Sequence, residues 1–224
     1  MKADLHIHTL YSHDAVITID EIEKYSLLRG IDCVAITDHE TIVGALKTEK
    51  NVNKVRVIPG VEFYTEIGHL IGLNIRRYPN NRNRLTWREL IDFIHSEGGV
   101  AIVPHPLDKR RGGAGLPKRD DNINALEVAN AHDPNAKHNY IILYKSAEEL
   151  DLGITAGSDS HIPDTIGLTY LYDDSETIDQ LMENILKRNV RVRLQTAHKT
   201  QKAKKIFLEL LHKAKLYRRV RSLR

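Results

Sequence analysis

The chain has 224 residues, 41% hydrophobic and 28% charged, which suits a soluble globular domain of moderate size. No apolar run reaches the roughly 18 residues a membrane span needs, and no apolar core follows the MKADLHIH start, so neither a span nor a signal peptide is expected and a cytoplasmic protein is. The net charge of +3 is split between a basic tail, residues 196–224 with ten Lys/Arg and one acid (+9), and a body left at −6.

In chain order, a strand over 3–8 ends on His6 and His8, which alternation places on one face with Asp4 one pleat behind. Asp14 follows in the loop, with His13 beside it. A helix over 18–29 carries Ile19, Ile22, Tyr25 and Leu28 at helical spacing, and Gly30 suits its C-cap. A strand over 33–39 ends "ITDH" with His39, and one over 55–64 contains Glu62. The stretch "FYTEIGHLIGLNI" reads as an antiparallel hairpin carrying His69. The helix over 85–97 opens on a capping box, Thr86 to Glu89. Strands over 99–105, 123–130 and 153–161 then end on His105, on Glu127, Asn130 and His132, and on Asp159 and His161. Helices over 137–150 and 176–188, and a strand over 167–172, complete the body. Repeated strand–helix order argues for a parallel α/β sheet with helices outside. Seven strands fit either an open doubly wound sheet or a barrel, and no Gly-rich phosphate loop supports the former. The barrel is favoured because side chains at C-terminal strand ends converge on one site there.

Twelve histidines against three phenylalanines and one tryptophan is an unusual balance. Cys33 is the only cysteine, so neither an intrachain disulfide nor a thiolate zinc site is available. Burying so many ionisable groups at one barrel mouth is costly without compensating charge, and divalent cations would supply it. His6, His8, Asp14, His39, Glu62, His69, His105, Asp159 and His161 are the candidate ligands. One zinc takes about four, so this set fits two or three ions, and a pure His/carboxylate donor set suits Zn, Mn or Fe.

These residues sit in "DLHIHT", "SHDA", "ITDH", "GVE", "PHP" and "GSDSH", an order and spacing that resembles the polymerase and histidinol phosphatase (PHP) family over about 160 residues. The resemblance implies a distorted seven-stranded (β/α)7 TIM-like barrel over residues 1–195, with the basic amphipathic helical tail over 196–224 packed on the barrel or on a partner subunit. It implies a metal-dependent phosphoesterase. His6, His8, Glu62 and Asp159 would hold one metal, Glu62, His69 and His105 a second with Glu62 bridging, and Asp14, His39 and His161 a third. Asp4 and Asp38 are then expected to orient ligand imidazoles.

The expected chemistry is in-line attack on phosphorus by a hydroxide bridging the metals, with a metal-free imidazole, His132 or His13, as general acid. Lys109, Arg110 and Arg111, in the glycine-rich loop 106–120, are either a grip for substrate phosphate or a solvated basic loop. The loop's length and glycines also suit a mobile lid. In the tail, a helix over 200–217 has an apolar stripe of Ala203, Ile206, Phe207, Leu210, Leu211 and Ala214, and its lysines leave nucleic-acid contact open. The leading expectation is a phosphoesterase acting on small phosphomonoesters or nucleotides. Histidinol-phosphate phosphatase, a nuclease acting on RNA or DNA, and a non-catalytic metal-binding scaffold are the alternatives.

Overall fold

The computed structural model describes residues 1–82 and 85–213. In chain order the elements are β1 (Lys2–Ile7), α1 (Ile19–Arg29), β2 (Cys33–Ile36), α2 (Val43–Asn51), β3 (Arg56–Tyr64), β4 (His69–Leu73), α3 (Trp87–Ser96) and β5 (Val100–Val103). They continue with β6 (Ala125–Asn130), α4 (Ala136–Leu150), β7 (Gly153–Gly157), β8 (Tyr170–Tyr172), α5 (Ile178–Leu186), β9 (Arg191–Arg193) and α6 (Lys199–Lys213). Strands β2, β6 and β7 are buried along their whole length, as expected for strands with helices on one side and packed side chains on the other.

The strands form one mixed sheet in the order β7-β6-β5-β4-β3-β2-β1-β8-β9. The sheet curls until the end of β1 meets the chain leaving β7: Ile7 bridges Ser160 in parallel, and His8 N–H donates to Ser160 O at 2.9 Å. The result is an α/β fold with a nearly closed, barrel-like sheet. At Gly157 the two backbones come so close that an added Cβ would lie 2.8 Å from His6 N, so a side chain has no room.

Nine strands rather than seven are present among the described residues, and they are not all parallel. The expected hairpin is formed: β3 and β4 pair antiparallel from Gly60–Leu73 to Tyr64–His69. Four residues separate these strands, far fewer than the dozen or so that a parallel crossover requires. The other departure is at the opposite end of β1, where the three-residue strand β8 pairs antiparallel with Lys2 and Ala3 and then with β9.

Helix α3 shows why local sequence signals were reliable. Thr86 and Glu89 cap its start reciprocally, and Trp87, Leu90, Ile91 and Ile94 bury one face. Helix α6 does not turn its apolar stripe to the barrel. Ile206, Phe207 and Leu210 are 60%, 60% and 63% exposed, so the apolar stripe faces outward. The face turned to the barrel carries Gln201, Lys202, Lys205, Leu208 and Glu209, matching a polar, acid-rich mouth rather than an apolar wall. Ala214 and the remainder of the tail lie outside the described residues. No helix among the described residues is long and apolar enough to cross a membrane.

Candidate metal centre at the barrel mouth

The polar side chains gather where the strands run out. His6 is on β1 and His8 just beyond it, Glu62 is on β3, and His69 opens β4. Strand β2 stops at Ile36, yet the chain stays alongside β3 far enough for His39 to bridge Glu62. His105 (φ 30°) and Asp159 (φ 53°) follow β5 and β7 in the left-handed region, a conformation that costs a non-glycine residue about 1–3 kcal/mol. The turn at Asp159 aims its carboxylate into the same cavity that His161 lines.

Glu62 is the hub. Its Oε2 lies 3.2 Å from both His6 Nε2 and His8 Nε2, and Asp159 Oδ1 lies 3.6 and 3.4 Å from the same two nitrogens. Its Oε1 lies 2.9 Å from His69 Nδ1 and 3.1 Å from His105 Nε2. On the other side Asp14 Oδ2 lies 3.1 Å from His161 Nε2 and 3.5 Å from His39 Nε2. His39 Nδ1 in turn sits 3.3 Å from Glu62 Oε2. By geometry the donors fall into overlapping groups: His8, Asp14, His39 and His161; His6, Glu62 and His105; His6, His8 and Asp159; His39, Glu62 and His69. All nine candidate ligands are thus brought together.

The electrostatics are those of a cluster that demands positive charge. Burial opposes ionisation of Glu62, yet His6 and His39 hold its carboxyl well below the usual range. Burial alone would lower His6, but Glu62 and Glu127 outweigh it and raise the imidazole to about 10. Buried Asp14 Oδ1 and His105 Nδ1 have no hydrogen-bond partner among the described residues. Nitrogen and carboxylate oxygen donors in tight groups, with lone pairs turned inward, fit divalent cations of the Zn, Mn or Fe type.

A surrounding layer fixes these side chains. Glu127 Oε1 sits 3.0 Å from His6 Nδ1, and its Oε2 accepts from His105 N–H at 2.8 Å and Asn130 Nδ2 at 2.9 Å. A carboxylate facing Nδ1 keeps a proton on that nitrogen, so Nε2 is the atom turned to the cluster and the one whose proton an incoming cation displaces. Ser12 Oγ lies 3.2 Å from His8 Nδ1 and accepts from His39 N–H at 2.9 Å. The role of Glu127 escaped the sequence reading, although an acid inside the apolar run "INALEVA" was a usable signal. Two expectations are corrected. Asp4 orients no imidazole: it accepts backbone N–H groups of Ser158 and Gly167, both at 2.8 Å, and of His6 at 3.5 Å. Asp38 accepts from Thr9 N–H at 2.5 Å and Thr9 Oγ1 at 2.7 Å. Their hydrogen-bond partners are backbone amides and the Thr9 hydroxyl.

A cavity of 290 Å³ opens over the cluster, lined by Asp14, His39, Glu62, Tyr64, His69, His105, Arg110, Arg111, Gly112, Asp159, His161 and Lys205. Arg111 donates to Asp159 Oδ2, and to Asn130 Oδ1 at 3.1 Å. Arg110 is largely exposed, 3.7 Å from Asp108. Lys109 is exposed and does not line the cavity. The loop bearing them is tied down by Gly113 N–H to Asp108 O, Gly115 N–H to Pro106 O, and His69 N–H to Gly112 O. His132 is buried, with Nε2 unpartnered among the described residues, and burial beside Lys205 and Arg111 holds its pKa well below 6.5. His13 is exposed, its ring 5.5 Å from that of His39 and 6.2 Å from Tyr64. Lys205 is the cavity residue that no sequence motif marked. Burial and the Arg111 guanidinium push its ammonium down to about 8.

A family model described as the PHP domain matches residues 4–213. An uncharacterised protein of Methanocaldococcus jannaschii is 37% identical over 162 residues, covering 67% of this chain and 94% of that protein. A 5'-3' exoribonuclease of Haemophilus influenzae is 30% identical over 141 residues, covering 58% of this chain and 48% of its own. Among solved structures, a two-domain protein of Bacteroides vulgatus containing a predicted PHP-like metal-dependent phosphoesterase superposes with a TM-score of 0.69. That match covers 87% of this chain and 65% of the other at 14% identity, which speaks for the fold alone.

Proposed function

The chain belongs to the PHP domain family, and from that premise we propose that it is a metal-dependent hydrolase of phosphate esters, acting on a phosphomonoester or nucleotide-type substrate. The observation that carries this is the position of Glu62, whose two oxygens face separate imidazole sets on the floor of a cavity walled by arginine. On this reading the curled nine-stranded sheet is the family's distorted TIM-like barrel, residues 1–195 are the catalytic domain, and the basic tail follows from 196. A cytoplasmic location goes with it.

His6, His8, Glu62 and Asp159 would hold one divalent ion, Glu62, His69 and His105 a second, and Asp14, His39 and His161 a third. When bound, such ions supply a water acidified toward neutral pH and charge to offset that building on the phosphoryl oxygens. The chain's own residues do the rest. Glu127 and Ser12 keep the proton on the far nitrogens of His6 and His8. Arg111, already bidentate to Asp159 and Asn130, is close enough to turn one N–H toward a phosphoryl oxygen, with Arg110 at the rim. Lys109 belongs to the outer approach. His132 and His13 are the imidazoles beside the cluster that stand outside the three ligand sets; burial beside Lys205 and Arg111 keeps a proton off His132, which leaves the exposed His13 as the one to protonate the leaving oxygen.

A second reading, an exonuclease acting on nucleic-acid ends, is favoured by the exoribonuclease relative and by the lysines of α6. Both readings are tested by one screen. Zn- or Mn-loaded protein is given p-nitrophenyl phosphate, mononucleotides, sugar phosphates, histidinol phosphate and 5'-phosphorylated oligonucleotides. Turnover of a monoester that disappears in Glu62→Gln supports the first reading, and stepwise shortening of the oligonucleotide alone supports the second. No turnover with any substrate at full metal loading removes both.

A further inference from the structure

Resting on the phosphate-ester reading, we infer that helix α6 forms one wall of the active site and that Lys205 binds a phosphate group of the substrate there. The chain is brought to that place deliberately. After β9, Gln195 pairs with Thr169 in both directions, at 3.0 and 3.2 Å, and Ala197 N–H donates to Ala131 O at 2.8 Å. Ala197 also packs with Ala131 and Leu168, beside the end of β6 that bears His132. The first turns of α6 are then held at the mouth by Asp164, through Gln201 Nε2 at 3.1 Å and through Lys204.

The orientation of the helix is informative. Turning Lys205 inward while Ile206, Phe207 and Leu210 face water opposes the hydrophobic effect. What the mouth offers in exchange is electrostatic. Lys205 lines the same cavity as Asp14, His161 and Arg111, with its side chain only 16% exposed. Its ion pair among the described residues is a loose one, to Glu209 at 3.5 Å one helical turn on, which leaves ammonium protons to spare. Lys205 and Arg111 are like charges sharing one cavity, each raising the cost of the other. An anion between them turns that repulsion into a binding site, and the planar guanidinium and compact ammonium suit different oxygens of one phosphate. The simpler reading is a helix-stabilising pair of Lys205 with Glu209, which is worth little to binding.

The test uses the full chain loaded with Mn, comparing wild type with Lys205→Gln, Lys205→Arg and, as a control on the exposed start of α6, Lys199→Gln. Inorganic phosphate binding is measured calorimetrically, and kinetics are measured with p-nitrophenyl phosphate and a 5'-phosphorylated dinucleotide. Lys205→Gln is expected to weaken binding by about tenfold or more with kcat within about twofold and metal content unchanged. Lys205→Arg should recover most of the loss, and Lys199→Gln should match wild type. A loss shared by phosphate and p-nitrophenyl phosphate identifies the reacting phosphoryl group as the ligand. A KM rise confined to the dinucleotide identifies the neighbouring phosphate. Lys205→Gln that is indistinguishable from wild type with all three probes overturns the inference alone, whereas a wild type that neither binds phosphate nor cleaves either ester overturns the phosphate-ester reading beneath it.

Discussion

Replacing Glu127 by Gln isolates the layer behind the ligands. The carboxylate faces three donors: His6 Nδ1–H, His105 N–H and an Asn130 Nδ2–H. An amide can satisfy this set in only one way. With its NH2 in the Oε2 position it confronts both His105 and Asn130, and each unpaired buried donor costs about 1–3 kcal/mol. With its NH2 in the Oε1 position it confronts only His6, which escapes by giving up its Nδ1 proton and keeping the one on Nε2. That move costs little in the fold, since Nε2–H can donate to Glu62 Oε2 at 3.2 Å. It fixes the remaining proton on the atom that faces the cluster, so the loss appears in metal affinity, roughly 10–100-fold. The assay pairs Mn or Zn affinity by chelator competition with urea unfolding of the metal-free protein. Expected is a large fall in affinity with stability within about 1 kcal/mol of wild type. Affinity within about threefold of wild type would refute the tautomer argument, as would collapse of the metal-free fold.

Gly157→Ala drives a methyl against His6 N and Glu127 Oε1, at 2.8 and 3.1 Å, and should cost about 2 kcal/mol or more by urea unfolding; an unchanged midpoint would mean the strands part easily. Alanine at both Arg110 and Arg111 should raise KM for phosphate esters severalfold, and unchanged kinetics would remove them from substrate binding. Lys205 has its pKa lowered from 10.5 to about 8 by burial and Arg111. Its charged form therefore persists below pH 8 and is lost as pH rises through it, so kcat/KM should fall above pH 8. Lys205→Arg, which stays charged, should lack that limb; an identical profile in the variant would assign the fall to another group.

The ligands were legible because their signal is spread over many strand ends. His6, His8, His39, Glu62 and His105 each follow an apolar run, and no tertiary information is needed to see that one end of a parallel sheet collects them. The hairpin from β3 to β4 was legible for the same local reason. Asp4 and Asp38 were misread because alternation gives a side chain's face but not its depth, and depth decided that both meet backbone amides. Strand β8 lies within the strand expected over 167–172, but nothing local marks its antiparallel pairing with β1, and β9, three residues long, is too short to show a period. Helix α6 was read by its apolar stripe, a sound rule where the surface to be covered is apolar. Here the surface is a polar mouth, and Lys205 is turned inward instead, a choice that depends on what lies across the gap.

The central claim, that the mouth is a multi-ion centre organised by Glu62, is tested most directly by metal stoichiometry. Full-length protein is saturated with Mn or Zn, freed of excess ion, and analysed by inductively coupled plasma mass spectrometry beside Glu62→Gln. Between about two and three ions per chain are expected in the wild type, with about one or fewer in the variant. Fewer than about one ion per chain in the saturated wild type, or a variant that retains the full complement, would contradict it.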